Sequence, residues 1–314
     1  MLDKAHEAVD SLQNIALGLA NPVLFALRQA MGFKRGGYRE APGGDETLSE
    51  REQELLADPR ARELTERYDL ESLRPNLKKR TWLTQLFYLD LLDRLDGRFG
   101  FATKLQGKTD VLEVGAKNFE SAPALHRFFG RAFTGERDSG GESETKSELY
   151  TQRNIRLTGV ELDAFRIYRG WHSRADFANY YLGLLKKEGE GSSPDGKKGE
   201  TETHRYIAGD VMDHSDRCDV IAWFHPFLDA YPLLRWGLPR RYLEPEALFD
   251  HVMGRLRPGG VMIILNQEEH EKEQQIAMFE ARGLRYESLD INYVFTRTKS
   301  RGYAHVVYGG GGST

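Results

Sequence analysis

A short segment in the first half of the chain has the residue types and spacing of a ligand-binding turn. Residues 110–119 (DVLEVGAKNF) read as a buried strand that ends in an acid, followed by a glycine and a helix that starts near Ser121. A glycine permits a sharp backbone turn, which lets a ligand approach the free N–H groups of a helix start. The segment therefore predicts a binding site at Gly115, with the Glu113 carboxylate beside it.

Two further acids follow predicted strands. Glu161 ends the run LTGVE, and Asp210 follows the run YIAG. A carboxylate at such a place can accept hydrogen bonds from two ligand hydroxyls at once. The alternatives are structural: Glu161 or Asp163 can cap the next helix, and Asp210 can form an Asp-turn.

From about residue 108, short apolar strands alternate with helices, a pattern typical of an α/β fold with a mostly parallel sheet. The expected strands are Asp110–Val114, Leu157–Glu161, Arg205–Ala208, Asp219–Phe224 and Val261–Asn266. Helices are expected at Phe165–Leu185 and Pro245–Leu256, and a closing antiparallel pair at Leu284–Leu289 and Tyr303–Tyr308.

Residues 1–95 have helical patterns instead. We expect a helix over Ala5–Met31 bent at Pro22, a second from an N-cap at Ser49 (with Glu52 completing a capping box) toward Tyr68, and a third over Leu77–Leu95. The predicted organisation is a helical extension at 1–95 that acts as a lid or dimerisation element, an α/β domain at 96–308, and a disordered tail at 309–314. The polar segments Thr134–Lys146 and Lys186–Thr203 are predicted to be mobile loops.

Taken in order, these motifs resemble the class I S-adenosylmethionine-dependent methyltransferases, with no specific subfamily indicated. The turn Arg257-Pro-Gly-Gly before the fifth strand matches that family well. The resemblance implies a Rossmann-like, mostly parallel seven-stranded sheet with an antiparallel terminal strand, preceded here by the helical extension. It also implies S-adenosylmethionine as cofactor, with Glu113 near its methionyl end, Glu161 at its ribose and Asp210 at its adenine. The implied cofactor-binding residues are Glu113, Gly115, Ala116, Lys117, Asn118, Phe119, Glu161, Leu162, Asp210, Val211 and Phe224.

Two departures from the family pattern bear on chemistry. Where the family often has Gly-x-Gly-x-Gly, this chain has Gly115, Lys117 and Phe119, so Lys117 either neutralises the methionyl carboxylate or points to solvent. Where enzymes that methylate amino groups have Asn/Asp-Pro-Pro-Tyr, this chain starts with Phe224-His225 and lacks the amide or acid. His225 is either a general base for a hydroxyl acceptor or a structural histidine.

Composition limits the classes of partner. The formal net charge is -4 and no basic stripe occurs, which disfavours a nucleic-acid partner. The single cysteine, Cys218, allows no intrachain disulfide and favours a cytoplasmic location. No metal-ligand spacing is present, and the apolar stretch Leu12–Leu27 is interrupted by polar residues and a proline, so neither a metal site nor a membrane span is expected.

The sequence therefore predicts a methyltransferase that acts on a small-molecule acceptor, and its helical extension allows a homodimer. The main alternative is a non-catalytic binding or scaffold protein with the same fold. A nicotinamide-dependent oxidoreductase is less favoured. It requires Gly-x-Gly-x-x-Gly, and the corresponding positions here are Gly115, Lys117 and Glu120.

Overall fold

The computed structural model describes residues 20–21, 23–24, 26–27, 38–40, 47–105, 109–133, 150–152, 154–167, 171–190, 204–236, 238–298 and 300–310. Of the predicted first helix, the described residues between 20 and 27 are helical, and Pro22 lies outside the described set. The predicted loop Thr134–Lys146 also lies outside it. The predicted loop Lys186–Thr203 was wrong at its start, because residues 186–190 continue a helix, and its remainder at 191–203 lies outside the described set.

Seven strands form one sheet in the order β5-β4-β1-β6-β7-β9-β8. All neighbours in it are parallel except β9, which is antiparallel to both β7 and β8. The strands are β1 (Thr109–Val114), β4 (Ile155–Glu161), β5 (Arg205–Ala208), β6 (Cys218–Phe224), β7 (Leu256–Asn266), β8 (Tyr286–Asn292) and β9 (Arg301–Tyr308). The predicted Rossmann-like α/β sheet with its closing antiparallel strand is confirmed.

Helices cover both faces of this sheet. They are α1 (Glu50–Ala57), α2 (Pro59–Arg67), α3 (Lys79–Phe99), α4 (Ala122–Phe129), α5 (Arg174–Glu190), α6 (Ala230–Arg235), α7 (Pro245–Met253) and α8 (Glu269–Ala281). One buried cluster joins α3, α4 and α5 to one face, and a second joins α7 and α8 to the other. No described helix is long and apolar enough to cross a membrane.

Local chemistry explains where the elements differ from the prediction. The helix expected from Ser49 to Tyr68 is two helices, because Asp58 has extended backbone angles and its side chain accepts a hydrogen bond from Arg60 N (2.7 Å), which caps a new helix with Pro59 in its first turn. The predicted capping box of Ser49 and Glu52 is present. An antiparallel hairpin of β2 (Arg131–Phe133) and β3 (Tyr150–Gln152) was not predicted.

The strand order reverses between β1 and β6. From β1 the chain adds β4 and then β5 on one side, and it returns with β6 on the other side of β1. In open α/β sheets, ligands bind in the crevice beyond the carboxyl ends of the strands at such a switch point. Gly115 follows β1 and His225 follows β6, so the topology brings the predicted site residues to this crevice.

The amino-terminal helices share their core with the sheet. Leu86, Leu89 and Leu92 of α3 are fully buried in the same cluster as the sheet residues Val111 and Val261. The predicted boundary at residue 95 falls inside α3, which runs on to Phe99. At the other end, residues 309 and 310 of the predicted tail are described: Gly309 N donates a hydrogen bond to Gly260 O (2.8 Å), and residues 311–314 lie outside the described set.

We predict opposite effects for two glycine-to-alanine changes. A Cβ on Gly159 in β4 would lie 3.0 Å from both Ala116 Cβ and Phe119 Cδ1, so Gly159→Ala overpacks the core and should cost about 1–3 kcal/mol of unfolding free energy. A Cβ on Gly183 in α5 meets nothing within 4 Å, so Gly183→Ala should stabilise by about 0.5–1 kcal/mol. Urea denaturation of both variants beside the wild type measures this. A Gly159→Ala protein as stable as the wild type would contradict the packing described here.

Candidate functional site

A large cavity opens beyond the carboxyl ends of β1, β4, β5 and β6. It encloses about 1020 Å³ including its mouth. Its walls are mostly apolar, with Phe224, Phe227 and Leu248 among them, and its polar lining includes Glu161 and Asp210. Its size and its apolar walls with few polar groups are typical of small-molecule sites.

A second, smaller cavity adjoins the first and is far more polar. It encloses about 800 Å³. Its charged and polar lining includes Glu113, Lys117, Asn118, Glu120 and Ser121. The residues that line both cavities are Gly115, Lys117, Arg174, Phe224 and Trp236. We refer to the first as the apolar compartment and to the second as the charged compartment.

The turn between β1 and α4 is held in an unusual backbone conformation. Gly115, Lys117 and Phe119 all have positive φ, at 66°, 48° and 56°. For Lys117 and Phe119 this left-handed conformation costs roughly 1–2 kcal/mol each. Hydrogen bonds offset that cost: Lys117 N donates to Glu161 Oε2 (2.8 Å), and Tyr206 Oη donates to Lys117 O (2.5 Å).

A buried glutamine of α3 fixes the same turn from the other side. Gln85 Nε2 donates to Glu120 O (2.7 Å), and Gln85 Oε1 accepts from Ala124 N (3.0 Å) in the first turn of α4. The Gln85 side chain is fully buried. The turn that separates the two compartments is therefore bonded both to the sheet and to the amino-terminal helices.

Glu161 forms a buried ion pair that the sequence did not predict. Arg174 Nη1 donates to Glu161 Oε1 (2.7 Å), and the two side chains are 4% and 6% exposed. Asp163 N donates to the same oxygen (3.0 Å). Oε1 therefore has both lone pairs engaged, whereas Oε2 accepts, among the described residues, only from Lys117 N and retains one lone pair. Glu161 can therefore accept one further hydrogen bond from a ligand, rather than two.

Trp236 covers two cations at the junction of the compartments. Its ring centroid lies 4.9 Å from Arg174 Cζ and 5.6 Å from Lys117 Nζ, which are cation–π distances. Its carbonyl oxygen accepts a hydrogen bond from the buried Arg166 side chain, which also pairs with Asp163. Lys117 Nζ forms no hydrogen bond or ion pair with the described residues, so this ammonium is available to a ligand anion. Burial and the neighbouring Arg174 charge lower the pKa of Lys117.

The acids of the charged compartment have raised pKa values. Burial raises the pKa of Glu113 to about 8, although a hydrogen bond from Ser121 Oγ and the charge of Lys117 oppose the shift. Burial also raises the pKa of Glu120. Asn118 donates to Glu120 Oε1 (3.3 Å), but its own buried Oδ1 has no hydrogen-bond partner among the described residues. Asn118 Oδ1 is therefore an acceptor in this compartment that can bind a donor group of a ligand.

The structure gathers most of the predicted cofactor residues around these two cavities. Ten of the eleven line one or both: Glu113, Gly115, Ala116, Lys117, Asn118, Glu161, Leu162, Asp210, Val211 and Phe224. Phe119 lies outside them, because its ring is buried against Gly159 and 6.1 Å from the Tyr206 ring centroid. Asp210 Oδ1 accepts from Met212 N (3.0 Å) and so forms the Asp-turn of the alternative reading, and Asp210 also lines the apolar compartment.

His225 lines the apolar compartment in a strained conformation, with φ at 60°. Burial lowers its pKa to about 3, and the charge of Lys117 adds to the shift. The imidazole is therefore neutral at physiological pH and a weak base. Its Nδ1 is buried without a hydrogen-bond partner among the described residues. A catalytic role for His225 stays a prediction.

Three side chains at the site came from no sequence motif. Arg174 and Tyr88 lie on helices α5 and α3, and Trp236 follows α6. Their positions depend on how distant segments pack, which a single sequence does not reveal. Within the described ranges, no group of three or more His, Cys, Asp or Glu side chains is arranged to hold a metal ion.

Comparison with known proteins gives structural likeness alone. No protein-family model and no curated protein matches the sequence. Precorrin-6y C5,15-methyltransferase from Geobacter metallireducens GS-15 aligns with 14% identity and a TM-score of 0.35, over 68% of this chain and 87% of that one. Magnesium protoporphyrin IX methyltransferase from Synechocystis PCC 6803, solved with bound SAM, aligns with 8% identity and a TM-score of 0.39, over 83% of this chain and 99% of that one. The [4+2]-cyclase SpnF aligns with 13% identity and a TM-score of 0.41, over 71% of this chain and 81% of that one.

The likeness to these structures is one of fold. At such identities and TM-scores the likeness carries no argument about what this chain does. A shared fold of this type supports many unrelated functions, so the chemistry has to be argued from the site itself.

Glu113 should make stability fall as pH rises. Its carboxyl keeps its proton in the folded protein up to a pKa of about 8, whereas the unfolded chain loses it near pH 4.5. Between these values unfolding releases a proton, so this residue lowers the free energy of unfolding by up to about 1.4 kcal/mol per pH unit. Between pH 5 and pH 8 the free energy of unfolding should therefore fall less in Glu113→Gln than in the wild type, as measured by urea denaturation at both pH values. Glu273→Gln, an exposed position on α8, is the control. Parallel pH profiles for Glu113→Gln and the wild type would refute the shift.

Proposed function

We propose that this protein is an S-adenosylmethionine-dependent methyltransferase that acts on a small-molecule acceptor. One observation carries the proposal: a mostly apolar compartment, with Glu161 and Asp210 among its polar lining, joins a more polar compartment that holds two acids and a lysine ammonium. A nucleoside linked to an amino-acid zwitterion has this division of chemistry. The apolar walls suit an adenine ring, the Lys117 ammonium suits an α-carboxylate, and the acceptor oxygens of the polar side chains suit an α-ammonium.

The residues present fit such a cofactor atom by atom. The free lone pair of Glu161 Oε2 would accept one ribose hydroxyl, and Asp210 and Leu162 would lie at the adenine. Lys117 Nζ would pair with the α-carboxylate. The buried Asn118 Oδ1, which has no partner among the described residues, would accept from the α-ammonium together with Glu113. When bound, S-adenosylmethionine supplies a sulfonium methyl group that an acceptor nucleophile takes in an in-line displacement, the C–S electron pair remaining on sulfur.

The residues of the chain contribute positioning and exclusion of water. Trp236 and Phe224 line the junction of the two compartments, where their rings exclude solvent from a reacting group. The bonded turn at residues 115–120 holds the charged compartment fixed, which lowers the entropic cost of aligning the reactants. No residue is required to form a covalent intermediate. His225, neutral and poorly basic, is the proposed proton acceptor for a hydroxyl nucleophile.

The contacts of this turn disfavour a dinucleotide. A pyrophosphate near Gly115 would face the carboxyl oxygens of Glu113 and Glu120, which line the compartment that opens there. Backbone N–H groups of the turn are also engaged: Lys117 N donates to Glu161, and Ala116 N donates to Val160 O (3.0 Å). An anion-binding loop needs such groups free. A nicotinamide-dependent oxidoreductase is therefore not proposed.

A non-catalytic binding protein is the second candidate, and one contact favours it. Arg174 occupies Glu161 Oε1, so the ribose carboxylate offers one acceptor position instead of two. A protein that had lost the reaction would tolerate this loss of affinity. Cofactor binding without methyl transfer to any acceptor would identify this candidate.

Calorimetric titration tests the proposal directly. S-adenosylhomocysteine should bind, NAD should not, and Glu161→Gln should weaken S-adenosylhomocysteine binding at least tenfold because a charged acceptor is replaced by a neutral one. Asp213→Asn, an exposed neighbour outside the cavity lining, should bind like the wild type. Thermal unfolding of each variant verifies that it is folded. If a folded, ligand-free wild type binds neither sulfur ligand, the methyltransferase proposal is wrong, and binding of NAD alone would replace it.

The variant Lys117→Met distinguishes the contribution of the charged compartment to binding from that of the apolar compartment. It removes the ammonium proposed to pair with the α-carboxylate and keeps a side chain of similar length. Affinity for S-adenosylhomocysteine should fall by about ten- to a hundredfold, the usual loss for a hydrogen bond to a charged group. Affinity for 5′-methylthioadenosine, which lacks the amino-acid portion, should stay within twofold of the wild type. Equal losses for both ligands would place Lys117 at the nucleoside instead.

A further inference from the structure

A third cavity adjoins the charged compartment on the side of the amino-terminal helices. It encloses about 730 Å³. It is lined by Glu52, Arg80, Leu83, Thr84, Phe87, Tyr88, Phe295, Thr296 and Arg297, and we call it the α3 groove. Tyr88 also lines the charged compartment, so its side chain forms the wall between the two.

Tyr88 connects the groove to the junction of the compartments. Its ring centroid lies 5.0 Å from that of Phe224, which lines both compartments, and 5.1 Å from that of Phe87 in the groove. Aromatic rings thus run without a break from the groove to the junction. Glu113 and Glu120 both raise the pKa of Tyr88, although burial is the main cause. The hydroxyl stays protonated and forms no hydrogen bond to the described residues.

The groove carries more positive than negative charge. Arg80 Nε and Arg297 Nε approach the same oxygen, Glu52 Oε1, at 3.0 and 3.2 Å. Glu52 is fully buried, and its other oxygen accepts from Ser49 N (2.8 Å) and Ser49 Oγ (2.9 Å). These contacts lower the pKa of Glu52 to about 2, so it stays ionised. Two guanidinium groups therefore share one carboxylate that has no lone pair left.

Arg297 leaves most of its donors for a ligand. Its side chain is 69% exposed, and its only ion pair among the described residues is the one to Glu52. A guanidinium has five N–H donors in a planar fork that matches a carboxylate, and its Nη groups are uncommitted here. An exposed cation at the edge of an aromatic groove suits an apolar molecule that carries one anionic group.

We propose that the α3 groove binds the methyl acceptor, and that the acceptor is an apolar small molecule carrying a carboxylate. The carboxylate would bind Arg297 and Arg80, the body would pack on Phe87 and Phe295, and the nucleophile would face Tyr88, the wall on the side of the junction. That the bound acid accepts a methyl group rests on the proposed function, whereas its binding in the groove does not. Long polymers are disfavoured, because the cation lies at one end of a short aromatic surface.

The test compares acids with their amides. With S-adenosylhomocysteine present, we expect 4-hydroxybenzoate, 4-hydroxycinnamate or 3-hydroxydecanoate to bind at least tenfold more tightly than its own amide, measured by saturation-transfer NMR titration. Arg297→Gln should remove at least 80% of that preference, and Arg297→Lys should retain part of it. Arg301→Gln, an equal change of charge at an exposed position outside the groove lining, should leave the preference intact. Thr84→Trp should block acid and amide alike and leave S-adenosylhomocysteine binding unchanged.

The outcomes distinguish this inference from the proposed function. Equal binding of acid and amide, a preference that survives Arg297→Gln, or no binding by any of the three acids would overturn the groove assignment. None of these results alters the calorimetric titration with S-adenosylhomocysteine. Conversely, binding of the acids in the groove without binding of either sulfur ligand would support the groove assignment and contradict the methyltransferase proposal.

Discussion

The site depends on a carboxylate that the protein has buried against a guanidinium. Glu161 closes β4 at 6% exposure, and four segments converge on it: its own strand, the turn at Lys117, the backbone of Asp163 and the guanidinium of Arg174. Removing one partner of such a pair leaves the other charge uncompensated, which typically costs 3–5 kcal/mol. The position of Arg174, and with it the start of α5, therefore follows from Glu161.

The same pair determines what surrounds it. With Arg174 fixed, its guanidinium presents a face on which Trp236 packs, and Lys117 approaches the same ring from the other compartment. The strained left-handed residues of the turn persist because hydrogen bonds from three directions specify them. A ligand entering this site meets a preformed surface instead of one that has to be ordered, which reduces the entropic cost of binding.

Much of the fold was predictable, because strand patterns are local. Residues 205–208 were predicted to the residue, and the other sheet strands were found within a few positions because each is a short apolar run between polar segments. The acid and glycine positions were readable for the same reason: topology puts whatever follows β1, β4 and β6 at one edge. Arg174 was not readable. It lies in a predicted helix with no signal that its guanidinium turns back to a strand end.

The remaining failures have the same origin. A hairpin of two three-residue strands is too short to leave a hydrophobic pattern in the sequence. The break at Asp58 depends on a helix cap, and the same residues are also compatible with one continuous helix. Tyr88 and Trp236 are aromatic residues among many, and only packing shows which of them border the cavities. Site residues that belong to one local motif could be predicted from the sequence, and site residues brought together by the packing of distant elements could not.

The two hydrogen bonds of Gln85 have a consequence for how this chain can change. They join α3, which supplies the wall of the groove, to the turn that lies between the two compartments. In a modular enzyme, the part that selects the partner can be exchanged without disturbing the part that holds the cofactor. Here the proposed acceptor groove and the proposed cofactor site share one side chain and one core. On these proposals, a mutation in α3 that alters selectivity is transmitted to the turn, so selectivity and cofactor affinity are expected to evolve together.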